Sequence, residues 1–512
     1  MLESSALHVR ARNPTPPARL TLALLAACTV AACAAAPAGG ALDRLGRCAS
    51  DEGPIDGYCG TFRVFEDRDA AAGREIDLWI VVLPALSPAP QPDPLVFLAG
   101  GPGQGAAQLA DQIEAGFSRV QRSRDIVLVD QRGTGRSGPL DCGSDSSTLR
   151  ELTEGMDASL VRLRSCLDGY DADVRLYTTD IAMDDLDDVR AHLGYERVNL
   201  YGGSYGTRAA LVYLRRHGEH VRSVILDGAA PTDMRLPLFM ARDAERALDR
   251  LLADCESSRS CRDRYPGLGD RIRTLLARLA GQPARVTVTH PRTHEAEAIT
   301  VEARVVAGIL FRALYSPLTA SLVPALVERA EQDDYGGLFA LALAGGGGEN
   351  MSIGMQLSVL CSEDAPLVTR DDVSQATAGT TFGLLLMGNQ LDACDMWPRR
   401  VMDPGYARPV ESDVPALVLS GELDPVTPPS WGERVVEHLS RGRHVAVPAT
   451  GHGVISTPCG MRMVQAFLDA ASADELDTSC VERLQRPPFF VSPAGPDPAP
   501  ADPTPTVPAA EP

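Results

Sequence analysis

Short apolar runs alternate along the chain with amphipathic stretches of helical spacing. Four runs have the composition of buried strands: 94–99 (PLVFLA), 125–129 (DIVLV), 221–226 (VRSVIL) and 414–419 (VPALVL). Such strands carry no polar face, so both sides of the sheet that they form must be covered. Residues 58–65, 74–83 and 443–447 add further strands, and 180–193 forms a helix with one apolar side. The pattern predicts an α/β fold with a mostly parallel sheet and helices on both faces.

The pattern changes between residues 229 and 412, where helical stretches dominate. The predicted helices are 241–253, 270–279, 305–315 and 318–330, and a hairpin at 284–301 interrupts them. The glycines at 345–348 predict a flexible segment. Because sheet strands precede and follow this region, it is predicted to be a mainly helical lid domain inserted into the sheet domain.

The resulting division of the chain has six parts. They are a signal segment (1–33), a tether (34–57), the first part of the core (58–228), the inserted lid (229–412), the second part of the core (413–486) and a disordered tail rich in proline and alanine (487–512).

The first residues have the features of a targeting segment. Three arginines precede the apolar run 20–32, which is too short to cross a bilayer comfortably. Within it, LAAC ends at Cys28 and VAAC ends at Cys33, and both resemble the bacterial lipobox, whose cysteine is lipidated. Cys33 leaves the more typical apolar length, and an ordinary secretory signal cut near residues 34–36 is the alternative. In either case the mature protein is expected to be extracytoplasmic.

Composition excludes one class of partner and agrees with that compartment. The 512 residues include 48 basic and 68 acidic side chains, with no basic cluster that could follow a phosphate backbone, so nucleic acid is not an expected partner. Without Cys28 and Cys33, ten of the twelve cysteines remain, an even number typical of disulfides in an oxidising compartment. No cysteine or histidine cluster has the spacing of metal ligands, so no metal site is predicted. Neighbour pairing predicts the bridges Cys48–Cys59, Cys142–Cys166, Cys255–Cys261, Cys361–Cys394 and Cys459–Cys480.

The candidate chemistry centres on residues 197–208, RVNLYGGSYGTR. A short apolar run meets a G-x-S-x-G sequence, and an alanine- and leucine-rich helical pattern follows directly. This strand–turn–helix context is the one that a nucleophile elbow requires, because its tight turn exposes the serine above the sheet. Ser204 is therefore the predicted nucleophile.

A serine hydroxyl needs a base to take its proton and a third group to orient that base. His452, in GHG after the last predicted strand, is the candidate base, and Asp424, in GELDPVTP after the preceding strand, is the candidate acid. Asp227 and Glu422 are alternative acids. For the oxyanion, the N–H of Tyr205 follows the nucleophile, and the turn GGPG predicts the second N–H at Gly101.

Taken together, the motifs GGPG, DQRGTGRS, GGSYGT, GELDPVTP and GHG resemble the α/β-hydrolase peptidases of the prolyl aminopeptidase and tripeptidyl aminopeptidase type. The CSED motif at 361–364 and CDMWP at 394–398 resemble the secreted tripeptidyl aminopeptidase branch. The resemblance spans residues 58–480. It implies a triad of Ser204, Asp424 and His452, release of residues from peptide N-termini without a cofactor, and closure of the lid over the substrate. Ala99 stands where prolyl enzymes carry histidine, which argues against strict proline specificity.

An aminopeptidase must recognise a free α-ammonium group, and carboxylates shielded from bulk water do so strongly. Glu363 and then Asp364 are the candidate partners of that group. A Cys361–Cys394 bridge would hold them beside Trp397, which offers an apolar wall. An esterase or lipase with the same triad is the alternative function, and a non-catalytic binding protein of this fold is disfavoured by the intact motifs.

Overall fold

The computed structural model describes residues 41–50, 53–142, 149–344, 351–386, 390–492 and 495–496. In chain order, its strands are β1 (Gly46–Ser50), β2 (Gly53–Phe65), β3 (Glu75–Leu83), β4 (Leu95–Leu98), β5 (Ile126–Val129), β6 (Val198–Gly203), β7 (Val221–Asp227), β8 (Ala284–Thr289), β9 (Ala296–Val301), β10 (Ala416–Gly421) and β11 (Gly442–Val447). The main sheet has the order β1-β2-β3-β5-β4-β6-β7-β10-β11, and β8 pairs with β9 separately. Pairing from β5 to β11 is parallel, whereas β1, β2 and β3 add an antiparallel edge. The predicted mostly parallel sheet is confirmed.

Helices connect the strands and cover the sheet. They are α1 (Ala110–Gly116), α2 (Ser118–Gln121), α3 (Leu149–Leu152), α4 (Met156–Gly169), α5 (Thr179–Leu193), α6 (Tyr205–His217), α7 (Met240–Ser257), α8 (Arg259–Arg264), α9 (Leu268–Gly281), α10 (Ala303–Ala313), α11 (Pro317–Ala320), α12 (Val323–Glu331), α13 (Gly336–Ala344), α14 (Ile353–Val359), α15 (Arg370–Thr377), α16 (Gln390–Met396), α17 (Pro429–Val436) and α18 (Pro458–Ala470). A π-helical turn, Leu360–Asp364, continues α14.

Alternating side chains of the central strands fill two cores, one on each face of the sheet. On β7, Val224 and Leu226 pack into the core that α5 and α6 cover. Ile225, between them, points into the core that α1 and α18 cover. Because successive residues of a strand face opposite sides, a continuously apolar strand requires helices on both. The predicted α/β-hydrolase architecture is thus observed.

The segment between β7 and β10 has a core of its own. Apolar faces of α7, α9, α10, α12 and α13 pack together with the hairpin of β8 and β9. The predicted helix at 318–330 is two helices, since α11 ends before Ser321 and α12 begins at Val323. This arrangement is consistent with the predicted lid, which stays a prediction as a separate domain. The glycines 345–348 lie outside the described residues.

The tether predicted for residues 34–57 is wrong from residue 41 onward. Ala41–Arg44 forms a 3₁₀ turn, and β1 pairs with β2, so that Gly46 lies opposite Cys59. Pairing with β2 satisfies backbone groups that a free tether would leave to water. The signal segment, with Cys28 and Cys33, lies outside the described residues.

The disordered tail is also predicted too early. Phe489 is 4% exposed within the core of the inserted segment. The backbone N–H of Phe490 donates to the Ser321 carbonyl at 3.2 Å, and Tyr265 donates to the Phe490 carbonyl at 3.0 Å. An aromatic anchor and paired backbone groups therefore order the chain as far as Ser492. Residues 497–512 lie outside the described part.

Four of the five predicted disulfides are present: Cys142–Cys166, Cys255–Cys261, Cys361–Cys394 and Cys459–Cys480. The prediction of Cys48–Cys59 is wrong, because both cysteines are free. Cys48 lies opposite Gly57 and Cys59 opposite Gly46, so the two thiols are diagonal neighbours on the ladder and interact without a covalent bond. Within the described ranges, no helix has the length and apolarity needed to cross a membrane.

Candidate active site

Ser204 lies in a strained turn between β6 and α6. Its φ of 56° and ψ of −125° are values that a non-glycine residue rarely adopts. The flanking glycines permit the turn. A Cβ on Gly202 would lie 2.3 Å from the Gly206 carbonyl oxygen, and a Cβ on Gly206 would lie 2.1 Å from that of Leu98. The backbone thus has the geometry of a nucleophile elbow, and Ser204 stands at its apex.

His452 and Asp424 meet beyond the ends of β11 and β10. The His452 Nδ1 atom lies 2.8 Å from Asp424 Oδ2. The same carboxylate accepts bonds from the backbone N–H groups of Val426 and Thr427 at 2.8 and 2.9 Å, and from the Thr427 hydroxyl at 2.8 Å. This loop therefore fixes the carboxylate, which in turn sets the orientation of the imidazole.

The charge on this pair follows from its surroundings. Burial alone would raise the pKa of Asp424, but the adjacent His452 and the N–H donors lower it overall. Burial opposes protonation of His452, yet the carboxylate of Asp424 raises the pKa of the imidazole above its usual value. The pair consequently favours an ionised aspartate beside a basic histidine, as a serine hydrolase requires.

The inserted segment supports the histidine from the other side. The backbone N–H of His452 donates to the backbone carbonyl of Tyr315 at 2.8 Å. The side-chain rings of these two residues meet edge to face, with centroids 5.1 Å apart. A Cβ on Gly451 would lie 2.1 Å from the Tyr315 carbonyl oxygen, so this approach requires glycine. Tyr315 was not identified from the sequence, because nothing local links it to a residue so far along the chain.

The alternative acids have other partners. Asp227 accepts from the N–H groups of Val454 and Ile455 at 2.8 and 3.0 Å and from the Tyr201 hydroxyl at 2.9 Å. It therefore holds the loop that follows His452 rather than the ring itself. Glu422 pairs with Arg250 at 3.1 Å.

The predicted oxyanion residues lie beside the nucleophile. Tyr205 is the first residue of α6, so its N–H has no partner within the helix. A Cβ on Gly100 would lie 3.3 Å from Ser204 Cβ, which places the turn of Gly100 and Gly101 against the serine. Gly101 has φ of 113°, a conformation that favours glycine.

These groups share one cavity of about 690 Å³, which Ser204, Tyr205, Gly101 and His452 all line. The remaining wall comes largely from the inserted segment, including Ile309, Phe311, Leu341 and Met351. Among the described contacts, Ser204 Oγ makes no hydrogen bond to His452, although both residues line this cavity. Catalytic hydrogen bonds of this kind are often long before substrate arrives.

Glu363 and Asp364 do not line the cavity, and the hypothesis that they bind the substrate ammonium is wrong. Asp364 accepts from both terminal nitrogens of Arg208 at 2.8 and 3.1 Å. Glu363 accepts from the N–H and hydroxyl of Thr179 at 2.7 and 2.9 Å and from the hydroxyl of Tyr406. Both carboxylates are thus paired inside the protein: Asp364 joins the π-helical turn to α6 through Arg208, and Glu363 joins it to α5 through Thr179.

Trp397 is likewise not part of the cavity wall. Its indole N–H donates to the Ser358 hydroxyl at 3.1 Å, and its ring packs in the core beneath α14. The Cys361–Cys394 bridge does hold this region together, but it holds a core rather than a binding surface.

Comparisons with known proteins agree with this geometry. The chain matches the family model described as the alpha/beta hydrolase fold over residues 93–264, and the model described as TAP-like protein over residues 378–480. It is 26% identical to serine protease Hip1 of Mycobacterium tuberculosis over 465 residues, which covers 83% of this chain and 88% of that protein. It is 23% identical to a tripeptidyl aminopeptidase of Streptomyces coelicolor, covering 75% of this chain and 76% of that protein. Identity to a proline iminopeptidase of Neisseria gonorrhoeae is 30%, over 30% of this chain and 35% of that protein.

The two family matches cover the elbow in the first case and the acid and histidine loops in the second. The sheet order, the elbow and these matches identify the chain as an enzyme of the α/β-hydrolase fold, similar to proteins named as a serine protease and a tripeptidyl aminopeptidase.

Proposed function

We propose that this enzyme is a serine aminopeptidase and that Ser204, His452 and Asp424 are its catalytic triad. In the acylation step, Ser204 Oγ attacks the scissile carbonyl carbon while His452 takes the hydroxyl proton. The oxyanion is bound by the N–H groups of Tyr205 and Gly101, and His452 returns the proton to the leaving amine. Water then hydrolyses the ester on Ser204 by the same route. Every step uses groups of the chain itself.

The polar lining of the cavity is the observation that favours a peptide over a simple ester. Gln104, Gln356 and Gln390 line it, each is half-buried, and none makes a side-chain hydrogen bond to another described residue. An amide side chain offers both a donor and an acceptor, which matches the two groups that each peptide unit presents. Because these amides have no partner among the described residues, they are free to exchange the water of the cavity for the donors and acceptors of a peptide.

The same lining suggests how a free N-terminus is recognised now that Glu363 and Asp364 are excluded. Asp227 is the only acidic side chain among the described residues of the cavity wall, and both of its oxygens are already bonded. The substrate ammonium would therefore donate to neutral acceptors, the glutamine amide oxygens. N-acetylation of the substrate removes the positive charge of its terminal nitrogen and leaves that nitrogen with fewer N–H groups to donate to these oxygens.

Peptide p-nitroanilides with free and N-acetylated termini test the proposal. We expect cleavage of the free-amine substrates and weak cleavage of the acetylated ones. Ser204→Ala should cleave neither, and a fluorophosphonate probe should label the parent enzyme at Ser204 but not this variant. Equal cleavage of the two substrates would make the enzyme an endopeptidase or esterase. Labelling at a serine other than Ser204 would contradict the assigned nucleophile.

Gln356→Leu separates peptide from ester recognition within one variant. We expect a higher KM for free-amine peptides, corresponding to a loss of about 1.5–3 kcal/mol of binding free energy, the range for a hydrogen bond to a charged group. Turnover of p-nitrophenyl acetate, which has no ammonium group, should be unchanged and serves as the internal control. Equal effects on both substrates would remove the glutamine from substrate recognition.

We further propose that the protein works outside the cytoplasm. The four disulfides among the described residues are typical of an oxidising compartment. Lipidation of Cys33, or of Cys28, would anchor the enzyme to a membrane, whereas a simple secretory signal would release it. Fractionation of the native protein and of Cys33→Ser and Cys28→Ser variants distinguishes these outcomes.

A further inference from the structure

A cluster of histidines and aspartates lies at the end of α6 opposite the nucleophile. His217 is the last residue of α6, and His220 follows it in a 3₁₀ turn. Asp184 and Asp187 lie one turn apart on the neighbouring helix α5. None of these residues lines the catalytic cavity. The two histidine rings are nearly parallel, with centroids 6.4 Å apart and an interplanar angle of 9°.

The spacing of three ligand atoms is close to that of a metal site. His220 Nδ1 lies 2.8 Å from Asp187 Oδ1, and His217 Nδ1 lies 3.8 Å from Asp187 Oδ2. All three groups offer ligand atoms within 4.8 Å of one another. Zinc bonds of about 2.1 Å in a tetrahedral arrangement place ligand atoms roughly 3.4 Å apart. Small side-chain rotations would therefore bring these atoms to the required separation.

The second nitrogen of His217 has the partner that metal-bound histidines characteristically have. His217 Nε2 lies 2.9 Å from Asp184 Oδ1. In the neutral imidazole this contact favours the proton on Nε2, which leaves the Nδ1 lone pair for a metal ion. A carboxylate in this position orients a ligating imidazole and makes it more basic. Arg216 holds Asp184 from the other side at 2.6 Å.

The remaining contacts fix the carboxylate of Asp187. Arg190 and the Tyr213 hydroxyl each donate to its Oδ1 at 2.7 Å, and Arg190 also reaches Oδ2 at 3.2 Å. The C-terminal end of a helix also carries partial negative charge, which stabilises a cation beside it.

We propose that Asp187, His217 and His220 bind one divalent transition-metal ion, with Zn²⁺ as the best match and water as the fourth ligand. Two imidazoles and one carboxylate suit zinc, whereas magnesium and calcium prefer oxygen ligands alone. The ion would join α5 to the end of α6 and so brace the helix that carries the nucleophile at its other end. No metal spacing was predicted from the chain because the ligands come from α5, the end of α6 and the 3₁₀ turn after it.

Calorimetric titration of the full-length protein with ZnCl₂ tests this site. We expect one zinc ion per chain and a higher melting temperature in its presence, with no comparable effect of MgCl₂. His217→Ala and His220→Ala should each lose the binding, and Asp184→Asn should weaken it by about 10–100-fold, as losses of such supporting carboxylates do. Circular dichroism establishes that each variant is folded.

Two reference variants test whether histidines outside the cluster bind the zinc ion. His452→Ala removes the imidazole of the catalytic cavity, which could also attract zinc, and should keep the one tight ion. His438→Ala, at a histidine just after α17 that is not part of the cluster, should also keep it. Absence of zinc binding in the unaltered protein, binding unchanged in His217→Ala, or binding lost in His452→Ala would each overturn the proposal and leave the cluster as an ion-pair network.

Discussion

Two buried aspartates follow neighbouring strands of the sheet, and their partners separate their roles. Asp424 contacts the His452 ring. Asp227 instead accepts hydrogen bonds from the backbone N–H groups of Val454 and Ile455, two and three residues after that histidine. Both positions fit the sequence pattern of an acid at the end of a parallel strand. Only the hydrogen-bond partners distinguish the group that orients the base from the group that holds the loop.

Asparagine substitutions at both positions measure this difference. Asp424→Asn should lower kcat by about 10⁴-fold, because the amide stabilises the wrong imidazole tautomer. Asp227→Asn should lower the melting temperature through its weakened loop and reduce kcat far less. Steady-state kinetics and thermal unfolding are measured on both proteins. A larger loss of kcat in Asp227→Asn than in Asp424→Asn would make Asp227 the acid of the triad.

Glu363 couples stability to pH instead of binding substrate. Burial raises its pKa to about 7, although Arg208 and its hydrogen-bond donors oppose the shift. The unfolded value is 4.5, so between these two pH values the folded protein binds more protons than the unfolded chain. Its contribution to the free energy of unfolding must therefore fall as pH rises through this window.

Glu363→Gln should remove that pH dependence. The difference in free energy of unfolding between the variant and the parent should change by about 1–3 kcal/mol between roughly pH 4.5 and 7, in favour of the variant at the higher pH. Urea unfolding at several pH values provides the measurement. Glu422→Gln, at a partly exposed carboxylate beside Arg250, is the control. A constant difference across the window would mean that Glu363 is already ionised throughout.

At the scale of elements, the junction of β6 and α6 depends on close backbone contact. Gly206, in the first turn of α6, faces the end of β4, and its missing side chain lets the helix approach the Leu98 carbonyl. Gly308, within α10, has open space where a Cβ would lie. The two glycines therefore occupy helices for different reasons, since only one of them is required by its surroundings.

Alanine at each position separates these reasons. Gly206→Ala should abolish activity and destabilise the protein, because the new methyl group would overlap the Leu98 carbonyl and displace the elbow. Gly308→Ala should raise the free energy of unfolding by up to about 1 kcal/mol, since alanine is the better helix former. Hydrolysis rates and urea unfolding are compared. An active, stable Gly206→Ala protein would show that the elbow tolerates a wider strand–helix separation.

Across the whole molecule, local patterns predicted the sheet and the candidate triad because both follow from short, contiguous signals. The continuous apolar runs became β4, β5, β7 and β10. Ser204 directly follows β6, and Asp424 and His452 lie in the loops after β10 and β11. The role of Glu363 and Asp364 could not be predicted in this way. Their partner Arg208 lies 156 residues from Asp364, and no spacing in the sequence reveals that contact.

The predictions for the two ends of the fold, a tether and a disordered tail, were wrong for a related reason. Small and polar residues dominate 34–57, and the proline and alanine content of 487–512 outweighs its short apolar run Phe489–Val491, so both compositions indicate weak intrinsic structure. The order of the described residues 41–50 and 487–492 comes from partners elsewhere: β2 provides a ladder for β1, and the inserted segment provides a site for Phe489. Composition describes what a segment can do alone, and these segments are not alone.

The C-terminal strap, residues 486–491, fastens the end of the sheet domain to the inserted segment. Arg486 pairs with Asp254 of α7 at 2.7 Å, and Phe489 fills a position in the core that includes α10. The carbonyl of Tyr315, just beyond α10, holds the His452 backbone. Loss of the strap should therefore loosen the insertion and, through Tyr315, the position of the catalytic histidine.

Phe489→Ala should lower the free energy of unfolding by about 3–5 kcal/mol, the range for an aromatic side chain removed from a core. A chain ending at Pro487 should lose at least as much, whereas a chain ending at residue 496, which keeps every described residue, should match the full-length protein. Urea unfolding and kcat/KM are measured for all three. Because the strap contacts the inserted segment, kcat/KM should fall in Phe489→Ala and in the chain ending at Pro487. This fall should be seen even at temperatures at which both variants are fully folded. An unchanged free energy of unfolding in Phe489→Ala would mean that the strap contacts the inserted segment without stabilising it.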